Sequence, residues 1–262
     1  MNKWENFYKK NVIEFIKDKN AKILVCGGCT LDRKVFLDLG YKNVIISNLD
    51  ERMEKEIARF APFKWERQNA EQLSYENNSF DYVITHASIH HSFLPHKFLT
   101  EMFRVAGKGI IAIEARDSLL MRLLEKLNIP QTYEHSAVYY NDGKFGGVNN
   151  TDIPNYIYRW TEREIQKTIC SFYPYTKNKF FFRYGYAFEG LNELETQNKL
   201  LFFVLKIILP FYSIFAKIFP KQQNLFAFIV KKGQIPQALH PWLKFENSKV
   251  NFDKKWGERK YK

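Results

Sequence analysis

Cysteine is scarce. The 262-residue chain has three, Cys26, Cys29 and Cys170. That is too few for the disulfide framework of a small secreted domain, and a reducing cytoplasm is the expected setting. Cys26 and Cys29 have C-x-x-C spacing, but no second cysteine pair completes a zinc site, so no metal is expected. An apolar opening is also lacking: Met1 to Asn11 is polar and charged, without the core of a signal peptide. Internal repeats and low-complexity linkers are missing too. Acidic residues run short, 28 against 40 Lys and Arg, and the shortage is local. From Lys199 onward 13 basic residues face 3 acidic ones, a net of +10. The preceding part is nearly balanced, 27 against 25. The basicity of the last quarter therefore needs its own explanation.

The most informative stretch runs from Ala21 to Glu51. Ile23, Leu24 and Val25 read as a strand buried on both faces. Gly27 and Gly28 follow at once, where a backbone without Cβ can turn sharply and let a ligand approach. Asp32 to Leu39 reads as a short helix stopped by Gly40, and Val44 to Ile46 as a second buried strand. Asp50 stands just past that strand. This is a nucleotide-binding βαβ layout: a helix N-terminus offers free N–H groups, and a carboxylate about 20 residues on can accept ribose hydroxyls.

Downstream segments extend the pattern. Asn69-Ala70-Glu71 precedes Ser79 to His86, which reads as a strand. Ile89-His90-His91 follows it. Glu101, Arg104-Val105 and Gly107-Lys108-Gly109 lead into an apolar strand, Ile110 to Glu114. In this order the segments, over roughly residues 20–116, resemble class I S-adenosylmethionine (SAM)-dependent methyltransferases of the type 11-like small-molecule family. The resemblance implies SAM as cofactor and an α/β fold: a doubly wound, Rossmann-like seven-stranded sheet with an antiparallel last strand, plus cap or lid insertions. It implies that Gly27, Gly28, Cys29, Asp50, Asn69, Ala70 and Glu71 hold the cofactor. Val25 departs from the family, which usually has an acidic residue there, and a third glycine near Cys29 or Leu31 is missing. Asp32 is a carboxylate that can substitute for the lost acid.

Three of the six histidines, His86, His90 and His91, gather within six positions after one strand. On the carboxyl rim of an open sheet they are candidates for the base that an acceptor hydroxyl needs, with Glu114 orienting one of them or binding the acceptor. They make O-methylation the preferred reaction. Beyond Glu114 the pattern fades. Ser118 to Leu127 reads as a helix capped by Asp117, Tyr133 to Asn155 as a long loop or lid, and Thr161 with Glu164 as a capping box opening a helix at Glu162. Glu134, His135, Asn155, Tyr156 and Arg159 are candidates for acceptor binding, Arg159 for a carboxylate or phosphate. Lys179 to Phe188 and Leu225 to Lys231 read as the antiparallel edge pair.

Leu200 to Phe219 carries only Lys206 and Lys217 as charges over a length that would allow a membrane span. Lys206 and Pro210 near its middle argue against a span. An interfacial element meeting anionic head groups fits better, with a helical hairpin packed on the core as the alternative. The organisation expected is a methyltransferase domain over 1–232, with a lid insertion at about 118–175 and the apolar insertion at about 199–220. A basic tail, 233–262, follows and reads as a solvated terminus. The function expected is cytoplasmic, membrane-associated transfer of a methyl group from SAM to a small-molecule or lipid-linked acceptor, saccharides included. A SAM-fold binding protein without catalysis and a nucleic-acid methyltransferase are the alternatives, although no nucleic-acid-binding motif supports the latter.

Overall fold

Seven strands form one sheet in the order β3-β2-β1-β4-β5-β7-β6. They are β1 (Ile23–Cys26), β2 (Val44–Asn48), β3 (Lys64–Arg67), β4 (Phe80–His86), β5 (Ala106–Ala115), β6 (Lys179–Gly185) and β7 (Leu225–Lys231). The first five run parallel, and β7 lies antiparallel between β5 and β6. The computed structural model describes residues 3–127, 129–186 and 199–262. The doubly wound α/β sheet with an antiparallel last strand is the expected fold. Strand β1 is apolar throughout because both its faces are covered. Alternation splits it between two cores. Ile23 and Val25 pack with Tyr8, Val12, Val35 and Phe36 on one face; Leu24 and Cys26 pack with Phe98, Leu99, Trp160 and Ile165 on the other. Helices α1 (Lys3–Phe15) and α2 (Thr30–Asp38) thus cover the first face, and α3 (Pro95–Val105) with α6 (Glu162–Phe172) the second.

Several boundaries follow local chemistry. Thr161 caps α6, its Oγ1 accepting the Glu164 N–H at 3.2 Å. The Glu164 carboxylate does not close the box; it bonds the Tyr158 hydroxyl and lies near His96. Helix α4 (Leu119–Lys126) is capped by Ser118, which accepts from Met121 N, and not by Asp117. Asp117 instead binds Arg122 as an exposed ion pair. Gly107 to Gly109 already lies within β5, which begins at Ala106 directly after α3 and not at Ile110. Between β2 and β3, Glu51–Phe60 is a 3-10 helix interrupted at Glu56. The lid contains a short helix α5 (His135–Tyr139). Phe188, the expected end of β6, lies outside the described residues.

Lys199–Ile218 forms one continuous helix through Pro210, not a hairpin. Phe202 and Ala216 are buried, whereas Leu200, Phe203, Ile207, Phe211, Ile214 and Ile218 are exposed. Among the described residues no helix is long and apolar enough to cross a membrane. The C-terminal segment, expected as a solvated terminus, folds into a hairpin, β8 (Leu243–Glu246) with β9 (Lys249–Phe252), followed by the helix Lys254–Tyr261. Aromatic contacts hold it together: Trp242 stacks on His240 at 4.4 Å, and Trp256 meets Trp242 and Phe252.

Candidate active site

A cavity of about 490 Å³ opens at the carboxyl ends of β1, β2 and β4, where open α/β sheets place their ligands. Its wall includes Gly27, Cys29 and Asp50. Gly27 takes φ +64°, and a Cβ there would meet the Ser88 side chain at 2.5 Å, so this turn requires glycine. Gly28 plays another part. It does not line the cavity; a Cβ would press on Ile46 and Val25, inside the first core. Asp32 is no substitute for the missing acid. Its buried carboxylate accepts the Cys29 N–H at 2.8 Å and the Tyr8 hydroxyl at 2.7 Å, away from the cavity wall. Burial pushes the thiols of Cys26 and Cys29 up to about 12.

Asp50, 5% exposed, is already engaged. Arg52 binds it through Nε at 2.9 Å and Nη2 at 2.6 Å. Burial works against the charge on Asp50, but Arg52 more than offsets it and holds the carboxyl below its usual value. The same guanidinium stacks on Phe145 at 3.9 Å and reaches Asn141, both from the lid. Asn69, Ala70 and Glu71 line the opposite side. Glu71 accepts from Ser92 Oγ at 2.6 Å and Leu94 N at 3.1 Å, tying this loop to the segment after β4. Gly146, Gly147, Asn149 and Asn150 of the lid complete the wall.

The three histidines part company. His86 lines the cavity but is sandwiched by the first helix: it stacks on Tyr8 at 4.9 Å and meets Trp4 edge-on at 5.2 Å. Its buried Nε2 has no hydrogen-bond partner. His90 and His91 sit in the 3-10 turn Ile89–His91. Glu114, fully buried, accepts Ser88 N and Ile89 N on one oxygen and contacts His90 Nδ1 at 2.6 Å with the other. It therefore orients His90 and has no surface for an acceptor. Glu134 reaches in from the lid, its Oε2 3.4 Å from both His90 Nε2 and His91 Nε2. Burial opposes charge on His90, but Glu114 and Glu134 overcome it and raise the imidazole to about 10. Burial would raise Glu134, yet the two histidines hold it at about 2. His91 is lowered by burial and by its charged neighbour.

Beyond this cluster lies a second cleft, lined by His90, Phe93, Val148, Tyr156 and Tyr158. His91 and Ser92 face the first cavity, so the cluster stands at the junction of the two. Of the acceptor candidates, Tyr156 lines this cleft. Asn155 is buried behind Glu134 and donates to it at 3.2 Å. His135 stands beside Tyr133, ring to ring. Arg159 pairs with Glu125 and donates to the Gln131 carbonyl, and it lines neither cavity. Sequence reasoning missed Asn48, Arg52, Gln68, Ser92 and Asn141 on the cavity wall. Asn48 and Arg52 flank Asp50, and that proximity was the available signal; Asn141 is placed only by the folding back of the lid.

Comparison with known proteins gives three findings. The family model for a methyltransferase domain matches residues 25–113. No curated protein matches the chain in sequence. Among solved structures, YcgJ of Bacillus subtilis is similar with a TM-score of 0.53 and 12% identity, over 87% of this chain and 99% of that one. BH2331 of Bacillus halodurans gives 0.50 and 13%, over 86% and 99%. The magnesium protoporphyrin IX methyltransferase of Synechocystis, solved with bound S-adenosylhomocysteine, gives 0.49 and 13%, over 87% and 82%. At these identities the likeness to solved structures is one of fold.

Proposed function

We propose that the chain, a SAM-dependent methyltransferase of the class I fold whose residues 25–113 match the model of a methyltransferase domain, methylates an oxygen of a small-molecule or lipid-linked acceptor, saccharides included, at the cytoplasmic face of a membrane. The observation that carries the site assignment is a single cavity shared by the glycine turn, Asp50, the Asn69–Glu71 loop and His91. The residues fit the cofactor: Gly27 keeps the floor clear of any side chain, and Asp50 is a buried carboxylate whose present partner, Arg52, can be retained by the lid through Phe145 and Asn141. Asp50 would then accept the ribose hydroxyls, Cys29 would flank the methionine side, and Asn69, Ala70 and Glu71 would meet the adenine. When bound, SAM supplies a methyl group on a positively charged sulfur, open to in-line attack.

The chain's own residues handle the acceptor. The second cleft admits it past Tyr156, and the His90–His91–Glu134 cluster meets it where the cleft joins the cavity. Glu114 and Asn155 fix the cluster from behind. His86 keeps Tyr8 and Trp4 against the wall and helps exclude water. A carboxylate–histidine group at that junction favours an acceptor with a proton to lose, hence oxygen. Peripheral membrane contact is supported by the exposed apolar face of the helix Lys199–Ile218 and by the net charge of +10 from Lys199 onward.

Titration calorimetry with SAM and with S-adenosylhomocysteine tests the assignment. Wild type should bind both with micromolar affinity, and Asp50→Ala should lose at least about tenfold, equivalent to about 1.4 kcal/mol. A folded wild type that binds neither overturns the reading.

A further inference from the structure

We propose that His90, His91 and Glu134 form a binding site for a divalent first-row metal ion, with zinc the best-fitting member. One atom from each residue lies within 4.8 Å of the others. Both imidazole Nε2 atoms stand 3.4 Å from the same carboxylate oxygen. That separation is long for a direct charge-assisted hydrogen bond, which runs to about 2.9 Å. Each of these two separations matches the edge of a tetrahedron with bonds of about 2.1 Å, the Zn–N and Zn–O length, which spans about 3.4 Å, and the third, between the two imidazoles, lies within 4.8 Å. The donor set suits such an ion, since imidazole with carboxylate selects first-row metals over magnesium or calcium.

The surroundings are those of a metal site as well. A ligating histidine usually donates its far N–H to a carboxylate or carbonyl, which fixes the ring and strengthens the ligand. His90 does so to Glu114 at 2.6 Å, and Glu114 is itself pinned by two backbone N–H groups. Asn155 donates to Glu134 at 3.2 Å. The path is open, because the side chains of His91 and Glu134 are 30% and 29% exposed. Three protein ligands leave a fourth position free, as in catalytic zinc sites. An acceptor hydroxyl taking that position would have its pKa lowered and release its proton to water in the second cleft. This role beside the acceptor rests on the function proposed above; ion binding itself does not. The expectation of no metal came from counting cysteine pairs. The ligands here are two adjacent histidines and a glutamate 43 residues beyond them, a spacing with no local signature.

The test is titration of the tag-free full chain, stripped with chelator, with Co2+ under visible spectroscopy and with Zn2+ under calorimetry. One equivalent of Co2+ should give the intense visible band of a four-coordinate N/O site, and Zn2+ should displace it. Glu134→Gln and His91→Ala should each lose the band and at least about 100-fold in Zn2+ affinity, while Glu114→Gln should lose about 10–100-fold. Because Glu134 comes from the lid, Zn2+ should also raise the wild-type Tm and leave that of Glu134→Gln unchanged. No band at one equivalent, or a band and affinity that persist in both ligand variants, overturns the proposal. SAM titrations on the same samples keep the readings apart. SAM binding without metal binding removes the metal site alone, and metal binding without SAM binding removes the cofactor assignment alone.

Discussion

At Gly28 an added Cβ would stand 2.7 Å from Ile46 Cγ2 and 2.9 Å from Val25 Cγ1. Neither neighbour can withdraw, because both side chains are fully buried. Gly28→Ala should therefore cost about 1–3 kcal/mol of stability by overpacking, measured by urea denaturation, without adding any atom to the cavity wall. A change below about 0.5 kcal/mol would show that this core yields. Val25 shares that contact. Its apolar side chain packs under the turn, and Asp32, in the first turn of α2, secures Cys29 N and Tyr8. The two glycines look alike in sequence. Only Gly27 faces ligand space, and the difference lies in which side of the turn each Cα presents.

Elements are joined at their ends by a few polar contacts. The starts of β1 and β4 are tied by Asp81, which accepts Lys22 N at 2.8 Å and pairs with Lys108 at 2.8 Å. Burial opposes the Asp81 charge, yet these partners hold its carboxyl below the ordinary value of 3.8. An acid lowered on folding stabilises the native state above its unfolded value and loses that contribution as the pH falls through its folded value. The stability gap between wild type and Asp81→Asn should thus be widest at neutral pH and shrink as the pH drops below about 4. A gap that stays constant from pH 7 to pH 3 in urea titrations would refute this. Element positions were largely legible, because buried parallel strands are short apolar runs and helices open at capping residues. The misplaced cap of α4 shows the limit: Asp117 and Ser118 are both good caps, and in the fold Ser118 accepts from Met121 N while Asp117 pairs with Arg122.

Across the whole molecule, charge and apolar surface are concentrated in the same part of the chain. The helix Lys199–Ile218 turns Phe203, Ile207, Phe211 and Ile214 to the outside, and the last quarter carries nearly all the net positive charge. An exposed apolar face of this kind marks an interaction site. Replacing Phe203, Phe211 and Phe215 with serine should abolish flotation with anionic vesicles and leave SAM affinity within about twofold. Phe202 is excluded because it is 6% exposed and packed. Loss of SAM binding together with flotation would assign the helix to the core, and retention of flotation would remove the membrane reading.

The sequence by itself determined the sheet, the glycine turn, Asp50 and the loop at Asn69, because each depends on local signals at fixed spacings: apolar runs, a turn residue, an acid past a strand. Tertiary structure decided the rest. It stacked His86 on Tyr8, sent Arg159 to Glu125, laid Phe145 of the lid on Arg52 and brought Glu134 from the lid to His90 and His91. These contacts join residues whose spacing along the chain carries no periodic signal. A side chain's partner there is set by how helices and lid fold back over the sheet, and by which buried charge must be neutralised first.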